Sequence, residues 1–199
     1  MAVSEAVVCN IALARTGHRS FIGSLSENTT ESIVCNTLYA DARDSLLAQL
    51  DWSFARRRAS LAEVTVDARS GWDHVYALPA DCLAVRYIYA GARSPSSEYR
   101  TKFQLEFESG IGRVLLTDDS AAELVYTARV TEVVRYPPHF VDVLGWKLAQ
   151  ELALALSVKP QVAMGIDGKY QACLALAMAA DLNEAREDEQ PESEFIRVR

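Results

Sequence analysis

The sequence is poor in the residues on which small secreted or metal-stapled domains depend. Among its 199 residues are four cysteines, three histidines, nine glycines and six prolines. Cys9, Cys35, Cys82 and Cys173 stand far apart, each beside apolar or small residues. That pattern fits buried, reduced thiols and supplies no disulfide framework. None of His18, His74 and His139 has a Cys, His, Asp or Glu at the short regular spacing that metal ligands on one element need, so no metal or other cofactor is expected. No apolar run approaches the roughly eighteen residues of a membrane span; Leu152 to Leu156 is the nearest stretch. The first ten residues hold Glu5 and no basic residue, unlike a signal peptide, so the expected place of synthesis is the cytoplasm.

Positive charge is also scarce. A formal net charge of -7 opposes general binding to DNA phosphates, because that affinity comes from Lys and Arg displacing counterions. Hydrophobic residues make up 50% and charged residues 24%, inside the globular range. A chain of this length suits one domain, or one core with a sizeable insertion, and buries roughly 70% of its unfolded surface.

Val3, Val7, Ile11 and Ala14 recur at helical spacing, and Gly17 closes the helix they predict. Asn28 and Glu31 have the spacing of a capping box. Val34, Leu38, Ala42, Leu46, Leu50 and Phe54 then step by fours, which predicts one long amphipathic helix running to Arg58. Beyond it the period falls to two. Leu61, Val64 and Val66, then Tyr76 and Leu78, then Leu83, Val85, Tyr87 and Tyr89, predict extended segments, with Ser70 and Gly71 at a turn and Gly91 to Ser97 a turn-rich gap. Phe103, Leu105 and Phe107, Val114 to Leu116, and Leu124 to Val130 continue the pattern to an antiparallel sheet. Pro137 and Pro138 suit a first helical turn, and Phe140, Leu144, Leu148, Leu152 and Ala155 share a face of the helix that follows, which Lys159 and Pro160 end. The last helix, near 162–185, carries Tyr170, Leu174, Ala177 and Asp181 at spacings of three or four, with Leu176 and Met178 widening its apolar face. After a charged stretch containing Pro191, the chain ends on Phe195, Ile196, Arg197, Val198 and Arg199, an apolar end on a polar tether.

The expected fold is α+β and mainly α: a four-helix bundle with an inserted antiparallel β-rich block and an extended C-terminal tail. Residues 1–58 and 136–186 would form the bundle, 59–135 the insertion and 187–199 a docking tail, since neither helical pair alone buries its apolar stripe.

Catalytic signatures are missing from the linear order. No serine stands in a Gly-x-Ser-x-Gly elbow. Gly165, Gly168 and Lys169 lack the spacing of a phosphate loop, and Tyr170 stands where its hydroxyl residue belongs. Gly110 and Gly112 are half of a dinucleotide fingerprint, placed between strands where a hairpin needs glycine. Asp118 and Asp119 are two hard ligands where a calcium loop needs several more, so a solvated turn is expected. Asp73 beside His74 cannot make a triad contact on a strand, where neighbours point to opposite faces. Arg56, Arg57 and Arg58 form the one basic cluster, a contact patch for phosphates or an acidic partner, or else a set of cations at a helix C-terminus.

The order of features resembles a known family. Cys9-Asn10-Ile11-Ala12-Leu13, Gly17 and Leu25 come first, followed by Tyr39, Arg43-Asp44, Leu46-Leu47, Trp52-x-Phe54-Ala55 and Arg58-Ala59-x-Leu61. Trp72, Tyr76-x-Leu78-Pro79-x-Asp81-Cys82-Leu83, Tyr126-Thr127 and Pro138-x-Phe140 complete the series. The chain is similar in this order to the tail tubular protein A family of short-tailed phages, the head-to-tail adaptors or tail accessory factors. The resemblance implies a non-enzymatic virion protein at the head-tail junction. It implies a ring, commonly of twelve copies, beneath the portal, with DNA passing through without sequence-specific binding. Its partners would be itself, the portal protein and a downstream tail or nozzle protein, with no membrane. The C-terminal segment, Phe195 to Arg199, would dock on the portal. A channel wall of negative charge would let the duplex slide. Two other classes compete: a small hydrolase-like enzyme with a site around Asp73, His74 and Asp81, and a helical DNA-binding factor using Arg56 to Arg58.

Overall fold

The computed structural model describes residues 3–65, 71–90 and 101–184. The expectations for Val66, Ser70, the gap from Gly91 to Ser97 and the tail from 187 to 199 lie outside them.

Helix α1 (Glu5–Thr16) starts where the Ser4 side chain accepts from the Val7 amide and ends at Gly17, whose φ of 86° is the left-handed conformation that glycine adopts without strain. Asn10 then pins the returning loop, its side-chain amide donating to the Ile22 carbonyl and accepting from the Ile22 N–H, both at 2.8 Å. Helix α2 (Thr30–Gln49) is capped by Thr29, which accepts from Ser32, rather than by Asn28. It stops nine residues short of the expected end at Arg58. A single 3-10 turn (Ser53–Ala55) follows, and then strand β1 (Arg56–Ser60). Phe54 keeps the core position its spacing promised, but from the turn, and Trp52 joins it there. Trp52 is buried and its Nε1 donates to the Leu46 carbonyl at 2.9 Å, folding the chain back over the end of α2.

Short strand β2 (Ala62–Glu63) leads to β3 (His74–Ala77), β4 (Cys82–Ala90), β5 (Gln104–Glu108), β6 (Gly112–Thr117) and β7 (Ala122–Ala128). They form two antiparallel sheets, ordered β1-β7-β4 and β2-β3-β6-β5. The sheets face each other across one apolar layer, in which Ile88, Leu124 and Tyr126 of the first meet Tyr76 and Leu115 of the second. Helix α3 (Pro138–Ala155) takes proline at its first turn, as expected, and α4 (Pro160–Glu184) returns along it.

The architecture corrects the expected fold class. Helix accounts for 49% of the chain and strand for about 22%, in a mixed fold that is not a four-helix bundle with an inserted block. Helix α3 is the common support on which α1, α2 and α4 each pack, and the three-stranded sheet packs on α2 through β4 and β7. Central strand β7 is buried on both faces: Leu124 and Tyr126 point to the other sheet, whereas Val125 and Thr127 point the opposite way. Ala55, Val130 and Leu83 join the helical core, so helices and sheet share one interior. The physical reason is strand pairing. Residues 56–60 pair with β7, residue for residue from Arg56 opposite Thr127 to Ser60 opposite Glu123, and this ladder outweighs the helical period that leads up to them.

Candidate functional site

The three arginines of the basic cluster do not end a helix. On β1 they alternate faces, which divides them. Arg56 makes a two-pronged pair with Asp51 at 3.1 and 3.0 Å, and Arg57 reaches Asp81 at 2.7 Å. Arg58 lies over the Tyr89 ring, 5.6 Å from its centroid. Two of the three charges are therefore engaged by carboxylates of the same chain, and the cluster offers no continuous cationic surface.

The residues around His74 separate in the same way. His74 Nδ1 lies 2.8 Å from Glu63 on β2, and its ring stacks on Tyr76. Asp81 instead accepts from Arg57 and from the Tyr126 hydroxyl, the latter at 3.1 Å. His74 and Asp81 thus have different partners and make no triad contact with each other. Asp118 and Asp119 form a turn, with the Asp119 side chain accepting from the Ala121 amide. The candidate docking residues Phe195, Ile196, Arg197, Val198 and Arg199 lie outside the described residues.

Cys9 and Cys173 are held in the thiol form. The Cys9 thiol is pushed far up by its hydrogen bond with Cys35 and by burial. Burial, aided by a hydrogen bond to Asp142, raises Cys173 to about 12. Neither is a nucleophile near neutral pH.

One polar cluster was hidden by its spacing. Asp181, near the end of α4, is buried, and its carboxylate accepts from the Ser53 amide at 3.1 Å and from the Ser53 hydroxyl at 2.7 Å. It thereby caps the 3-10 turn that carries the chain from α2 into β1. His139, in the first turn of α3, stacks its ring on Trp52 and brings Nε2 to 3.8 Å from Asp181 Oδ1. That nitrogen is buried without a hydrogen-bond partner. Glu184, one turn beyond Asp181, completes a group whose ligand atoms all lie within 4.8 Å of one another. The sequence held one signal of this: Asp181 occupies a position on the apolar stripe of Tyr170, Leu174 and Ala177, where a carboxylate needs a reason to be buried.

The outer face of α4 is the other distinctive surface. Tyr170, Leu174, Ala177 and Asp181 turn inward, whereas Ala172, Ala175, Leu176, Ala179 and Leu182 are exposed. The latter recur at helical spacing and form a stripe of small residues and leucine without a charge. Leu176 is 73% exposed and Leu182 65%, with Met178 beside them at 41%. No helix among the described residues is long and apolar enough to cross a membrane.

No family model matches the chain, and no curated protein matches it.

Proposed function

We propose that the protein is a structural head-to-tail adaptor of a bacteriophage, one that assembles with copies of itself into a ring beneath the portal and lets DNA pass. The observation that carries the reading is the outer stripe of α4. Ala172, Ala175, Leu176, Ala179 and Leu182 present an apolar surface along the second half of the helix, whereas a helix that finishes in solvent ordinarily carries charge there. Alanines at this spacing let a second helix approach closely, and the leucines supply the area to bury. The ordered series from Cys9 to Phe140 that resembles the tail tubular protein A family supports the same reading. So does the negative net charge, which suits a wall past which duplex DNA must slide. Chemistry is assigned to no residue, and the docking of Phe195 to Arg199 on the portal remains part of the proposal.

Native mass spectrometry of the chain, alone and with the portal protein of the same virion, tests it. The expected result is a closed multimer of this chain bound to the portal. A chain that stays monomeric at all concentrations and in the presence of portal overturns the reading.

A further inference from the structure

We infer that His139, Asp181 and Glu184 form a binding site for a divalent first-row transition cation such as Zn2+, fastening the end of α4 to the start of α3. The inference stands independently of the adaptor reading. Asp181 and Glu184 are three residues apart on one helix and so share a face. His139 approaches from the first turn of the antiparallel neighbour, and the three ligand atoms lie within 4.8 Å of one another. Ligands on a cation at about 2.0–2.2 Å stand roughly 3–4 Å apart. The 3.8 Å between His139 Nε2 and Asp181 Oδ1 already falls in that range, and exposed Glu184 has the freedom to close the remainder.

Two observations favour a cation over a plain cluster of acids. The first is His139 Nε2, a buried nitrogen with no hydrogen-bond partner, beside a carboxylate too distant to be one. A cation placed between them satisfies both. The second is that the two inner ligands are held in place before any ion arrives. Trp52 stacks against the imidazole, at 6.1 Å between centroids and 22° between planes, while Ser53 fixes the Asp181 carboxylate through its N–H and hydroxyl. Such outer partners orient metal ligands and sharpen affinity. One imidazole with two carboxylates suits Zn2+, Co2+ or Mn2+ better than Mg2+ or Ca2+, which prefer oxygen throughout. The open side at Glu184 gives the ion its entrance and leaves room for water to complete its coordination.

The test uses the full chain, stripped with a chelator and then titrated with Zn2+ by calorimetry and with Co2+ by visible absorption. One equivalent should bind, with the absorption of nitrogen and oxygen ligation. Glu184→Gln, an exposed change that preserves the fold, should weaken affinity at least tenfold, and His139→Gln should abolish binding. Glu63→Gln, at the separate His74 pair, should leave it unchanged. The inference fails if no saturable binding occurs, if Glu184→Gln binds as tightly as the parent, or if the Co2+ complex shows the intense near-ultraviolet band of thiolate ligation, which would place the ion on the cysteines.

Discussion

Arg86, within β4, donates from Nη2 to the Ala48 carbonyl at 3.1 Å, so a side chain from the sheet caps the C-terminus of α2. The same nitrogen also serves the Leu50 carbonyl, and Nε holds the Thr127 hydroxyl of β7 at 2.8 Å. Helix α2 has no basic residue in its last turn, and this guanidinium supplies the missing cation. Burial lowers the pKa of Arg86, and Asp51 opposes that shift. Arg86→Met should therefore destabilise the protein by about 2–3 kcal/mol, since carbonyls bonded to a half-buried cation lose their partner. Arg86→Lys, with one point charge for a fork, should recover only part. Urea unfolding with an unchanged slope is the measurement, and a loss within error of zero would refute the cap.

A second prediction concerns Gly145, where α1 crosses α3. A Cβ placed there would meet Ile11 Cγ2 at 2.9 Å and Arg15 Nη1 at 2.7 Å. Arg15 is tied to Asp142 and lies over the Trp146 ring, so it has little freedom to withdraw. Alanine gains about 1 kcal/mol of helix propensity over glycine, but overpacking costs roughly 1–3 kcal/mol. Gly145→Ala should be destabilising by about 1 kcal/mol, and the Ile11→Ala background, which leaves the Arg15 contact in place, should lessen that loss. Equal effects in both backgrounds would show that the two helices do not meet at this point.

Alkaline pH should unfold the protein earlier than its net charge alone requires. Burial raises the phenols of Tyr39, Tyr136 and Tyr170 above the ordinary value of 10. Between that value and the raised ones, the unfolded chain has released protons that the folded chain retains. Stability is thus whole below about pH 10 and falls as pH rises, by up to roughly 1.4 kcal/mol per pH unit for each such tyrosine. Tyr39→Phe, which removes one of the groups, should flatten the decline. Urea midpoints measured from pH 8 upward, flat through pH 11 in the parent, would contradict the assignment.

The outer stripe of α4 gives a fourth. Leu176→Glu with Leu182→Glu should leave the unfolding free energy of the isolated chain within about 0.5 kcal/mol of the parent, because both side chains already face water. The same pair should abolish self-association in light scattering. A doubly substituted chain that still assembles removes α4 from the interface.

Strand positions were legible where the apolar alternation is strict. The segments 83–89, 103–107, 114–116 and 124–130 fall on β4, β5, β6 and β7. What misled was the stretch from Leu50 to Arg58. Its apolar residues keep a helical step, and both Trp52 and Phe54 are core residues, so period alone cannot separate a helix from a buried turn that feeds a strand. The fold class failed for the same reason. Pairing of Arg56–Ser60 with β7 is a contact between distant segments, and local pattern does not carry it. Likewise His139, Asp181 and Glu184 are joined only by the packing of α3 against α4, so a search for close spacing passes over them. The outer face of α4 was visible in Leu176 and Met178, but the sequence read as though they would turn inward.

The strand that leaves the helices and the strand that comes back to them are neighbours in one ladder, with Arg56 opposite Thr127. The sheets are therefore joined to the helices by two antiparallel strands, with the Arg86 guanidinium bonded to both β7 and the end of α2, and not by a single crossing of the chain. Two strand crossings and a bonded side chain leave the sandwich less freedom to swing against α2 than a block on one linker would have.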